Sequence, residues 1–155
     1  MMNNFFLDED LFIKNVNIKT QFSLFKEIGK ILEDKDYVTK EYIEAISKRE
    51  EQYPTGIVTL SYEVAIPHVD AKYAKVNTMY VLTSKEGIEF ENSEEEGNIK
   101  AKIIFGIVIK NHDSHIDFLV QISKLLQNEE VLKNIYHAKD NKEMKEIIEK
   151  ELQLI

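Results

Sequence analysis

The chain contains no cysteine. Disulfides, thiolate chemistry and cysteine-based metal centres are therefore excluded from it. Glycine (5) and proline (2) are scarce among 155 residues, the reverse of a disordered or loop-dominated composition. No apolar run approaches the ~20 residues that cross a bilayer. The segment Met1 to Leu7 has neither a basic flank nor a small-residue cleavage site, so no secretory signal is expected and the expected location is cytoplasmic. A basic face is missing too: 20 basic residues stand against 28 acidic ones, a net charge of −8, with lysine spread along the chain. A nucleic-acid partner needs clustered cations, and none is expected here.

Several signatures of chemistry are also absent. Neither a Gly-x-x-x-x-Gly-Lys-Ser/Thr loop nor a Gly-x-Gly-x-x-Gly turn occurs, so direct use of a nucleotide has no support. No serine occupies a Gly-x-Ser-x-Gly elbow. His112 and His115 are three apart, but no third metal ligand is indicated. No metal and no cofactor are expected.

What is present fits one globular domain spanning residues 1–155, with 43% apolar and 31% charged residues. Leu11-Phe12-Ile13 reads as a short strand. Phe22, Phe25, Ile28, Ile31 and Leu32 are spaced to line one face of a helix over 21–34. Thr39 is placed to cap a second helix over 40–51. After the Tyr53-Pro54-Thr55-Gly56 turn, 57–60 and 64–66 read as strands, as do 77–83 and the β-branched run 102–109. The acidic stretch 89–98 reads as a solvated loop. Ser114 is placed to open a helix reaching Gln127, with Asp117 closing its cap, and two shorter helices follow over 129–136 and 142–152. The fold class is α/β (or α+β): a mixed β-sheet flanked by helices, with a strand order that cannot be read.

Of the four histidines, His68 has the most distinctive setting. It follows Val64-Ala65-Ile66-Pro67, so the proline fixes its own φ and drives Ile66 toward extended backbone. That holds the imidazole at a strand end, where reactive side chains of α/β sheets gather. A neutral imidazole there can attack phosphorus and carry a labile phosphoryl group. His115 precedes Phe118, Leu119, Ile122 and Leu126 on an apolar stripe and sits in the first turn of its helix. A helix N-terminus favours the neutral ring and attracts anions, which suits a donor to phosphate. Arg49 is the only arginine among the twenty basic residues. A planar guanidinium matches phosphate oxygens better than an ammonium does. The spacing of Tyr42, Ala45 and Ile46 places Arg49 at the end of the inward helix face.

Arg49-Glu50-Glu51, Tyr53-Pro54-Thr55-Gly56, Val64-Ala65-Ile66-Pro67-His68-Val69-Asp70, the run 103–108 and His115-Ile116 together resemble the enzyme IIA component of the bacterial phosphotransferase system (PTS). The similarity is to its fructose/mannitol/galactitol superfamily and covers most of the chain, from about Phe22 to Leu152. The resemblance implies that His68 is the phosphorylated nucleophile, with Arg49 and His115 stabilising the phosphoryl group. It implies a histidine-containing phosphocarrier protein as donor and a cysteine of an enzyme IIB domain as acceptor. His68 follows Arg49 by 19 positions, longer than in the fructose and mannitol branches and more similar to the galactitol-type branch. The expectation is a phosphocarrier for uptake of a galactitol-like polyol. The alternative is a nitrogen-type regulatory module acting through phosphorylation-dependent binding, and a phosphorylation-independent interaction domain is a third reading.

Overall fold

In the computed structural model, which describes residues 4–152, a short 3₁₀ turn over Glu9–Leu11 leads into β1 (Phe12–Ile13). The first three residues of the Met1 to Leu7 segment lie outside that range. Helix α1 (Gln21–Asp34) starts where the Thr20 hydroxyl accepts the Ser23 N–H at 3.1 Å. Its buried stripe is Leu24, Phe25, Ile28 and Leu32, whereas Phe22 is 70% exposed, contrary to its expected place in the core. Gly29 brings α1 against the next helix: a Cβ there would lie 2.4 Å from Ile43.

That helix, α2 (Tyr42–Gln52), begins two residues later than the sequence suggested. Glu41 is its N-cap residue and makes no side-chain cap. Thr39 does not cap it either; its carbonyl accepts the Tyr42 N–H while its backbone N–H pairs with Tyr73. The strands β2 (Gly56–Val58) and β3 (Glu63–Ala65) form a short antiparallel hairpin. The expected strand over 57–60 stops at Val58 because Thr59 and Tyr62 close a turn through backbone and hydroxyl bonds.

The centre of the sheet is the antiparallel pair β4 (Thr78–Glu91) and β5 (Asn98–Val108), both longer than expected. The acidic segment 89–98 is mostly hairpin end: Glu89, Phe90 and Glu91 pair with Lys100, Ile99 and Asn98, leaving 92–97 as the loop. The alternation of buried Ile88 and Phe90 with outward Glu89 and Glu91 is a strand period beneath the negative charge. The sheet order is β1-β4-β5-β3-β2, with β1 parallel to β4 and β3 parallel to β5. Helices α3 (His112–Leu126), α4 (Glu129–Tyr136) and α5 (Asn141–Glu151) complete the mixed α/β domain.

Helix α3 opens at His112 rather than Ser114. Its N-cap residue is Asn111, whose side-chain oxygen accepts from Asn77 Nδ2 at 3.0 Å instead of capping the helix. Asn77 Oδ1 in turn accepts the Lys110 N–H at 2.9 Å. The start of α3 is thus latched to the start of β4, a long-range tie that no local capping pattern reveals. The latch replaces the expected cap by Ser114 and Asp117 and fixes where His115 stands.

Candidate active site

Three short pieces of chain bring the expected residues to the same rim of the sheet. Beyond β3 the chain stays extended: the Ile66 N–H donates to the Thr55 carbonyl (3.3 Å), and the Pro67 carbonyl accepts the Ile107 N–H (3.0 Å). Pro67 is buried, and having no N–H it leaves no orphan donor there. His68 follows, in a parallel bridge with Ile107. Its Nδ1 lies 2.8 Å from the Ile66 carbonyl. A carbonyl only accepts, so Nδ1 carries the proton and the Nε2 lone pair is free.

His115 stands in the first turn of α3, its N–H bonded to the Asn111 carbonyl at 3.0 Å. Its ring meets His68 edge-on, with centroids 5.4 Å apart. His115 Nε2 is buried and has no hydrogen-bond partner among the described residues. A buried, unpaired ring nitrogen at a rim is a place where a ligand's polar group would complete the bonding. Burial holds both imidazoles below the ordinary histidine range. On His68 the Arg49 guanidinium adds to this and the Ile66 carbonyl opposes it. On His115 the neighbouring His68, His112 and Arg49 add to it, and Asp70 opposes it. Both rings are therefore neutral at pH 7, the state in which an imidazole has a nitrogen lone pair to use.

Arg49 belongs to the site electrostatically, but its expected place on the inward helix face is wrong. It is exposed, with its guanidinium 4.5 Å from the centroid of the Tyr53 ring. The buried position is Glu50, which continues the four-residue spacing of Tyr42 and Ile46. An exposed guanidinium resting on an aromatic face keeps its donors available while its stem is braced. Tyr53 donates its N–H to the Arg49 carbonyl at 2.8 Å and so ends the helix beside the site.

Glu50 and Thr55 were not singled out from the sequence as site residues. Glu50 is 2% exposed and accepts from Thr55 twice, from its N–H at 2.6 Å and its hydroxyl at 2.8 Å. Burial pushes the Glu50 carboxyl up to about 7 against the opposing pull of the Thr55 bonds. The spacing of Tyr42, Ile46 and Glu50 was the available signal, overshadowed by the rarity of arginine. Among the described residues no cluster of three or more histidine, aspartate or glutamate side chains is arranged to hold a metal ion. No helix among them is long and apolar enough to cross a membrane.

Residues 5–151 match the family described as phosphoenolpyruvate-dependent sugar phosphotransferase system, EIIA 2. A mannitol-specific phosphotransferase enzyme IIA component of Staphylococcus aureus is 30% identical over 152 residues, covering 96% of this chain and 97% of the relative. A galactitol-specific EIIA component of Escherichia coli is 21% identical over 127 residues, covering 81% and 85%. The fold is shared with the mannitol IIA component of Escherichia coli, solved in complex with phosphorylated mannitol enzyme IIB. That match has a TM-score of 0.71 and 23% identity, and covers 92% of this chain and 96% of that one. The relatives thus divide between two sugars, and the galactitol-type branch is not singled out. With the family profile spanning nearly all of its length, this chain belongs to the EIIA 2 family of the sugar phosphotransferase system, phosphotransferases that work through a phosphohistidine.

Proposed function

We propose that His68 Nε2 is the phosphorylated atom, and that Arg49 and His115 stabilise the phosphoryl group in transit. The observation that carries this is the His68 Nδ1 contact with the Ile66 carbonyl, which leaves Nε2 as the free nucleophile. The Nε2 lone pair attacks phosphorus of a phosphohistidine on the donor, the histidine-containing phosphocarrier protein. The donor's P–N bond breaks, and its electron pair returns to the donor ring. Phosphorylated His68 then bears a positive ring with its proton on Nδ1, and the Ile66 carbonyl stabilises that charge. The Arg49 guanidinium and the unpaired His115 Nε2 supply donors for oxygens of the transferred group, so charge is neutralised by side chains.

In the second step a nucleophile on the acceptor attacks phosphorus, and the P–N bond electrons return to His68 Nε2. This chain has no cysteine, so an acceptor thiolate must come from another protein. The Escherichia coli structure that shares the fold was solved with phosphorylated enzyme IIB, which supports an enzyme IIB cysteine as that acceptor. Both named relatives serve hexitols, which favours a six-carbon polyol as the transported sugar, with galactitol and mannitol as the first two to test.

Intact-mass spectrometry tests the assignment after incubation with phosphoenolpyruvate, enzyme I and the phosphocarrier protein at neutral to alkaline pH. A single phosphate adduct is expected on the wild type and none on His68→Ala. An undiminished adduct on His68→Ala would overturn it.

A further inference from the structure

Glu50 is the only Asp, Glu, Lys or Arg among the buried residues described. A buried carboxyl is costly, and an apolar residue of similar size would stabilise the helix end as well or better. The cost is accepted here at the residue next to Arg49, beneath the rim that carries His68. Both carboxyl oxygens are spent on Thr55: Oε2 accepts its N–H at 2.6 Å and Oε1 its hydroxyl at 2.8 Å. The Thr55 carbonyl accepts the Ile66 N–H at 3.3 Å, and the Ile66 carbonyl accepts the His68 Nδ1 proton at 2.8 Å. Four residues therefore form one hydrogen-bonded line, from the end of α2 through the start of β2 to the imidazole. The same carboxyl anchors the Tyr53-Pro54-Thr55 corner, and Tyr53 braces the Arg49 guanidinium.

We infer that Glu50 is a positioning residue for phosphoryl transfer: it locks Thr55, and through Thr55 the Ile66 peptide that keeps the His68 proton on Nδ1. This rests on the reading of His68 Nε2 as the nucleophile. The hydrogen bonds of the Glu50 carboxylate go to Thr55, and it acts on His68 through that line of bonds. The charged groups near it are Arg49 on its own helix and Glu91 on β4, with Lys19, Glu51 and Glu89 lining the cleft of about 420 Å³ outside it. None of these lies between Glu50 and Thr55 in the hydrogen-bonded line.

The test combines the histidine tautomer with the rate. Two-dimensional ¹H–¹⁵N spectra of the ring nitrogens at pH 8 report which His68 nitrogen bears the proton, in wild type, Glu50→Ala, Glu50→Gln and Thr55→Val. Wild type should hold the proton on Nδ1. Glu50→Ala and Thr55→Val should give a mixture of tautomers. Single-turnover phosphorylation by the carrier protein should then slow on the order of tenfold to a hundredfold at saturating donor, with the donor concentration for half-maximal rate unchanged. Glu50→Gln keeps one acceptor for the Thr55 N–H and should recover part of both effects. Thr55→Val keeps the test available where Glu50→Ala does not fold, since it removes only the hydroxyl's contacts and leaves the Thr55 N–H bond and the buried carboxyl in place. Folded variants with a wild-type tautomer, or with a shifted tautomer and an unchanged rate, overturn the inference. The tautomer measurement involves no phosphoryl transfer. Failure of wild type to take a phosphate would therefore sink the His68 assignment, while the spectra judge the bonded line separately.

Discussion

The β4–β5 hairpin and the rim that carries His68 are built on opposite plans. The hairpin is long and regular, registered from Thr78↔Val108 to Glu91↔Asn98 with one irregularity between Thr83 and Ile88. Its inner residues are almost all buried, and Gly106 lets the Tyr80 ring lie directly against the backbone. The rim is assembled from a helix end, two three-residue strands paired with each other, and a helix start, tied together by a few hydrogen bonds between distant residues. Stability accumulates where many local pairs repeat. A reactive group needs neighbours from several directions, and only short pieces that end at one place can supply them. The long hairpin is the rigid support, and the rim is what it holds.

Changing one region should therefore leave the other nearly intact. The largest effect is expected at Arg49: Arg49→Ala should slow single-turnover phosphorylation by roughly 10²–10³-fold. Its melting temperature should stay near wild type, because the side chain is exposed. Arg49→Lys should fall between the two, since it keeps charge and loses the planar fork. An unchanged rate in Arg49→Lys would remove the guanidinium geometry from the site.

Gly106→Ala is the converse experiment. A Cβ at this position would lie 1.8 Å from the Tyr80 ring, which is fully buried and has nowhere to go. A loss of about 3 kcal/mol is expected in denaturant unfolding, the upper part of the range for overpacked cores. The phosphorylation rate per folded molecule should not change. A large rate defect in the folded fraction would show that the two regions are coupled.

A smaller effect is expected from pH. The His68 value is lowered from 6.5, so the imidazole stays neutral at pH 7, and with His68 as the proposed nucleophile the rate should fall only when pH drops below that lowered value. The acid limb should therefore lie below pH 6.5. Removing the Arg49 charge should move it upward, since that charge helps to hold the imidazole down. For stability the sign is the same: the ring is neutral when folded and protonated when unfolded below 6.5, so falling pH costs stability from this group. A limb that stays in place in Arg49→Ala would show that burial and the Ile66 carbonyl set the value without the Arg49 charge. The smallest effect is expected in the loop at the far end of the hairpin. Replacing Glu94, Glu95 and Glu96 by alanine together should leave both rate and melting temperature close to wild type, as these side chains are exposed and outside the bonded line to His68. A large drop in transfer would make the loop part of the partner surface.

The bounds of helix α1 were legible because apolar spacing is a local signal, although Phe22 lies outside the buried stripe, and α4 spans the expected 129–136. The place of His68 at the end of β3 was legible because Ile66 and Pro67, its immediate neighbours, restrict its backbone. The same approach misjudged the start of α3, where Asn111 spends its side chain on Asn77 rather than on the helix. It also assigned the inward position to Arg49 instead of Glu50. A helix wheel leaves an uncertainty of one residue at a frayed end, and the partner that resolves it, Thr55, lies beyond the turn.

The sequence by itself determined which groups are available: one arginine, no thiol, and a histidine behind a proline at the end of an apolar strand. It also determined the mixed α/β class, through periods that each short segment carries within itself. The tertiary structure decided what those groups can do. Packing brings His115 to 5.4 Å from His68, places Arg49 where its charge acts on both rings, and assigns the His68 proton to Nδ1. Propensity and periodicity act over a few neighbouring residues. Proximity, burial and the choice of tautomer depend on residues far apart in the chain, and they exist only once the sheet has closed around them.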